Sequence, residues 1–102
     1  MKALLALTAL VFATSTLARP IGCEPQRDAR GKIKRSAYQV QKFRKLNPCP
    51  ATGLTTGRCK GYEVDHIVPL SCCGADTPAN TQWLTVKAHD IKTIKDNQEC
   101  RL

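Results

Sequence analysis

Apolar positions recur along this chain with a period that changes twice, and each change marks an element. Ala3 to Ala13 is an apolar run, interrupted only by Thr8, behind Met1-Lys2, followed by the small-residue ending Thr16-Leu17-Ala18. That pattern predicts an export signal over residues 1–18, cleaved after Ala18. The run is too short for a bilayer crossing, which takes roughly 20 residues. Gly22-Cys23 offers a lipoprotein site as the weaker alternative, with Pro20 and Ile21 as poor neighbours for it.

Residues 19–32 show no period and are rich in Pro, Gly and charge, which predicts an irregular basic arm. From Ile33 to Leu46 the spacing turns helical: Ile33, Ala37, Val40 and Phe43 form a stripe, with Lys34, Arg35, Lys42 and Lys45 mostly on the other side. Asn47-Pro48 ends the helix, because proline pushes the residue before it out of the helical region. Residues 48–61 read as a turn-rich loop. Tyr62 to Ile67 carries β-branched and aromatic side chains and reads as a strand, until Pro69 ends or bends it. Gln82-Trp83-Leu84 is either a second strand or the lead into a helix. Thr85 caps a helix expected over Val86 to about Asn97, in which Ala88 and Ile91 turn to the core and His89, Lys92, Thr93 and Asp96 share another face. Trp83 is expected to pack on that helix, in preference to stacking on a base.

The chain has 102 residues, with 16 Lys and Arg against 8 Asp and Glu, a net charge of +8 that loss of Lys2 lowers by one. So basic a small domain favours an anionic partner: nucleic acid, a membrane surface or an acidic polymer. The bland alternative is solubility alone, and the lysines of the first helix serve equally as a solvated face or as phosphate contacts. A membrane role is disfavoured because the apolar stripe is narrow and needed inside.

Cys23, Cys49, Cys59, Cys72, Cys73 and Cys100 all follow the signal. An even count in a short exported chain predicts a disulfide framework. A zinc site fits poorly: no C-x2-C pair is present, and adjacent Cys72-Cys73 do not easily share one tetrahedral ion.

The chemistry-bearing residues cluster late in the chain. The two histidines, His66 and His89, stand at the end of the expected strand and at the start of the last helix. Neutral imidazole can take a proton from water near pH 7. Asp65 and His89 are apt ligands for a divalent ion, and Asn80 can hold loop backbone through its amide. Each histidine could equally be a surface or capping residue. Strand alternation also sends Asp65 and His66 to opposite faces unless the backbone bends near Pro69.

The order Asp65-His66-Ile67-Val68-Pro69-Leu70, Gly74-Ala75-Asp76, Asn80-Thr81-Gln82-Trp83-Leu84 and His89 with Lys92-Thr93 resembles the HNH endonuclease motif. With Cys49 and Cys59 ahead of it, the segment from Asn47 to about Thr93 is similar to small exported members of that family. The resemblance implies an α+β, ββα-metal fold with an additional N-terminal helix, disulfide-stabilised, occupying residues 33–102. It implies a metal-dependent endonuclease of weak sequence preference, acting on DNA ahead of RNA. His66 would be its general base, Asn80 a second catalytic residue fixing the loop, and Asp65 and His89 the ligands of one Mg or Mn ion. Lys92 would contact phosphate or remain solvated. Thr85 and Ala88 stand where many relatives carry a zinc-binding cysteine pair, so no structural zinc is expected. Cys49 with Cys59 would close a short loop, and either Cys72 or Cys73 with Cys100 would tie the loop to the last helix.

The partner expected is nucleic acid, held by its phosphate backbone by a monomer with no stable membrane association, in the periplasm or secreted. Two other functions stay open: a catalytically inactive basic nucleic-acid-binding protein on the same scaffold, and a membrane-active antimicrobial protein.

Overall fold

Ser36 sets where the first helix begins. Its extended backbone and its hydroxyl, which accepts from the Gln39 amide at 3.4 Å, cap α1 (Ala37–Leu46). The Asp76 carboxylate, forty residues on, accepts the Ser36 amide at 2.7 Å and fixes that end. The computed structural model of the protein describes residues 23–100. The expected export signal, residues 1–18, lies outside the described residues.

The helix expected from Ile33 therefore starts four residues later. Ile33 instead forms an antiparallel bridge with Arg27. Asp28 N–H donates to Lys32 O at 2.8 Å and Lys34 N–H to Gln26 O at 2.9 Å, so the end of the arm folds into a tight hairpin turn. A side chain paired in a hairpin cannot also stand on a helical stripe. The α1 stripe is reduced to half-buried Val40 and buried Phe43.

Gly61, at φ +85°, turns the chain into β1 (Tyr62–His66) through a backbone conformation that side chains rarely adopt. β1 pairs antiparallel with β2 (Thr81–Thr85) in a two-stranded sheet, with Asp65 opposite Gln82 and Val64 opposite Trp83. Gln82-Trp83-Leu84 thus lies within a strand. α2 (Val86–Glu99) follows without a break, its Thr85 cap accepting from Ala88 N–H at 3.2 Å. Short 3-10 turns at Leu70–Cys72 and Pro78–Asn80 shape the loop between the strands.

The protein is thus a small α+β domain with an extra N-terminal helix and three disulfides. Cys49 pairs with Cys59, Cys72 with Cys100 and Cys73 with Cys23. The buried apolar side chains are Phe43, Leu70 and the half-cystines 49, 59, 72 and 100. A core so short of large side chains leans on its cross-links, each worth about 2–4 kcal/mol through restriction of the unfolded chain.

Two packing expectations are corrected. Trp83 meets α1, not α2: its ring centroid is 5.9 Å from that of Phe43, and its indole N–H donates to Asn47 O at 2.8 Å. Strand alternation explains this, since neighbouring Gln82 takes the α2 side and sends Trp83 the other way. Ile91 does not reach the core and is 61% exposed, because the face of α2 that meets the sheet is the polar one.

Candidate functional site

That polar face defines the site. Asp65, buried on β1, receives Gln82 Nε2 at 3.0 Å from β2 and lies 3.3 Å from Lys92 Nζ on α2. The same ammonium donates to Asp96 Oδ2 at 2.5 Å and to His66 O at 2.9 Å. Lys92 is therefore neither solvated nor turned outward for phosphate. It is an internal cation between two carboxylates, one of them Asp96 on the shared face of α2, and a strand carbonyl.

His89 stands one turn earlier on α2. Its Nδ1 is 2.6 Å from Glu63 Oε2, while Nε2 lies 3.9 Å from Asp65 Oδ1. His66 faces elsewhere, toward the loop, where Nε2 is 2.9 Å from Asp76 Oδ1. A carboxylate can only accept here, so Nε2–H donates. The other Asp76 oxygen holds Ser36, and one carboxylate thereby joins β1 to the start of α1.

Asn80 ties the two ends of the loop. Its Oδ1 accepts from Val68 N–H at 2.9 Å, and its Nδ2 donates to Val68 O at 2.9 Å and Ala75 O at 2.7 Å. Ile67 N–H adds a bond to Asn80 O at 2.8 Å. Gly74 is packed so close to the Val68 carbonyl that a Cβ there would overlap it. Together these contacts bend the chain after His66. Asp65 and His66 both line one hollow of about 330 Å³, although their side chains hold different partners.

The expected divalent ion is corrected by this geometry. Among the described residues, no group of three or more His, Cys, Asp and Glu side chains is placed to hold a metal ion. Asp65 Oδ1 and His89 Nε2 are 3.9 Å apart, but Asp65 already holds the Lys92 ammonium and accepts from the Gln82 amide, and His89 is engaged by Glu63. A fixed ammonium both neutralises the carboxylate and repels a second cation. The Mg or Mn cofactor and the metal-dependent endonuclease activity built on it fall with it.

The cations named as nucleic-acid contacts are distributed unevenly. Lys34 and Arg35 precede α1, at the base of the hairpin, and Lys42 and Lys45 lie exposed on the helix. Lys92 is drawn inside and does not join them. Sequence reasoning missed the bracing roles of Asp76, Gln82 and Glu63. The only signal for Asp76 was its place in the loop motif, and nothing local announces a partner forty residues away. Among the described residues no helix is long and apolar enough to cross a membrane.

No family model, curated protein or solved structure matches the chain.

Proposed function

We propose that this protein is an exported, non-catalytic, basic nucleic-acid-binding domain that grips the phosphate backbone of DNA. One observation carries the proposal: nearly all the described Lys and Arg side chains are exposed, whereas Asp65, Asp76, Asp96 and Glu99 are drawn into the fold and only Glu24, Asp28, Glu63 and Asp90 share the surface with the cations. Asp65, Asp76, Asp96 and Glu63 brace the fold against Lys92, His66, His89 and backbone amides, and Asp28 closes the hairpin by accepting from the Arg30 and Lys32 amides. Among the described lysines and arginines, only Lys92 and Lys95 pair with carboxylates. Arg30, Lys32, Lys34, Arg35, Lys42 and Lys45 are exposed. Among the described residues the outer surface is thus dominated by positive charge, and such a surface releases counterions when it meets polyphosphate.

The HNH resemblance fits this function as a scaffold. β1, β2 and α2 form a ββα unit with a long intervening loop, and the ligand positions of that scaffold have become internal ion pairs. Binding through backbone phosphate gives weak sequence preference.

Fluorescence anisotropy with labelled oligonucleotides across a salt series tests the proposal. Expected is binding that survives EDTA, leaves the oligonucleotide intact, and falls with log salt at about 0.7–0.9 per phosphate contacted. The charge reversal K34E/K42E/K45E should weaken it and flatten the slope. Affinity indifferent to salt, or unmoved by that variant, would overturn it.

A further inference from the structure

We infer that the ligand of this basic surface is single-stranded: its phosphates follow the hairpin from Lys32 to Arg35 and an unpaired base stacks on Tyr38. The inference rests on the proposed binding of nucleic acid and narrows its form.

Three adjoining hollows, of about 490, 330 and 810 Å³, share Ile33 and Arg35 in their walls, so they form one trough along the hairpin. Lys34 lines two of them and Lys32 the largest. The acids in the walls are Glu24 and Asp76 beside Cys73, Asp65 and Asp96 on the sheet side, and Asp28 in the largest hollow. Asp76, Asp65, Asp96 and Asp28 are each engaged within the fold, and Glu24 bounds the positive stretch on its side. The wall is built before any ligand arrives. The Arg27–Ile33 bridge, the Asp28 turn and the Cys23–Cys73 disulfide fix the hairpin, and Arg27 Nη1 donates to Gly31 O at 2.8 Å. A preformed trough loses little entropy on binding.

Tyr38 marks where a base would go. It sits in the first turn of α1, close in sequence to Arg35, and is 64% exposed although it is a large aromatic. Lys42 Nζ lies 5.3 Å from the centre of its ring. A solvent-facing ring beside a cation, next in the chain to a basic stretch, is the arrangement that single-strand binders use, with bases on the ring and phosphates on the charges. In duplex DNA the base faces are covered by their neighbours, and the ring has nothing to stack on. A membrane partner fits less well, because the apolar side chains exposed on α2, Ile91 and Ile94, are not part of this trough.

Anisotropy titrations of the oxidised protein with labelled oligo-dT, the corresponding dT·dA duplex and unlabelled heparin as competitor decide the matter. Oligo-dT should bind more tightly than the duplex. Tyr38→Ala should weaken oligo-dT by about 5- to 100-fold, the range for one stacked base, and change the duplex little; Tyr38→Phe should restore binding. Circular dichroism of each variant checks that the exposed position leaves the fold intact. Equal binding of strand and duplex, with Tyr38→Ala silent, would overturn the single-strand inference and leave the nucleic-acid proposal standing. Absence of binding to either oligonucleotide would overturn both, as would heparin binding alone.

Discussion

Lys92 holds its ammonium 3.3 Å from the carboxylate of Asp65, reaching from the second turn of α2 across to β1. It also contacts Asp96 and the His66 carbonyl, so one cation secures the helix to the strand. Removing it leaves two largely buried carboxylates without their countercharge. Lys92→Met should destabilise the oxidised domain by about 2–4 kcal/mol, somewhat below a fully buried pair because the lysine keeps some solvent contact. Lys95→Met, at a 4.0 Å pair on an exposed side chain, should change stability by less than about 0.5 kcal/mol. Urea unfolding of both variants checks the contrast, and equal effects would contradict the internal role of Lys92.

Asn80 offers a sharper test, because its amide uses both ends. Asn80→Ala should cost about 2–4 kcal/mol, from the lost bonds to Val68 and Ala75 and the polar groups left unmatched. Asn80→Asp should be at least as damaging at neutral pH, since a carboxylate oxygen would face two carbonyls in place of the donating nitrogen. Chemical denaturation midpoints give the order. A silent Asn80→Asp would mean the loop is held by something else.

Gly74 is required by space. Its backbone passes so near Val68 O that Ala at this position must move main chain, not a flexible side chain. Gly74→Ala should cost more than about 3 kcal/mol or abolish folding, whereas Gly57→Ala, where a Cβ meets open space, should cost less and only through its positive φ. Thermal unfolding of the two variants separates these cases.

The three disulfides should not reduce together. Cys23 and Cys73 are both half-buried, while the other four half-cystines are buried. Limited dithiothreitol followed by alkylation and mass mapping should find Cys23 and Cys73 labelled first. Early labelling of Cys49 and Cys59 would contradict the order that exposure sets.

Where a short-range rule governed, the chain was legible. β-branched and aromatic side chains placed β1, the Thr85 cap placed α2, and the shared face of Lys92 and Asp96 followed from helical spacing. The start of α1 was not legible, because the stripe continued back to Ile33 while Ser36, held by Asp76, ended the helix first. Trp83 was misplaced because which side of a strand meets which helix depends on the whole sheet. The site was harder still. Asp65, His66, Asn80 and His89 are brought to one end of the sheet, but their residue types are as suited to bracing as to chemistry. Only the positions of Lys92, Glu63 and Asp76 reveal how each is engaged.

Cys72 and Cys73 are neighbours in the chain, and their bridges run to Cys100 and Cys23, the two limits of the described domain. These two bridges close two covalent rings fused at a single peptide bond, and the Cys49–Cys59 ring lies within the first of them. Any one backbone cut between Cys23 and Cys100 leaves every fragment attached, so a protease needs a second cut before it can release a piece. A pull on the two ends travels through Cys23, Cys73, Cys72 and Cys100 and bypasses the sheet and both helices.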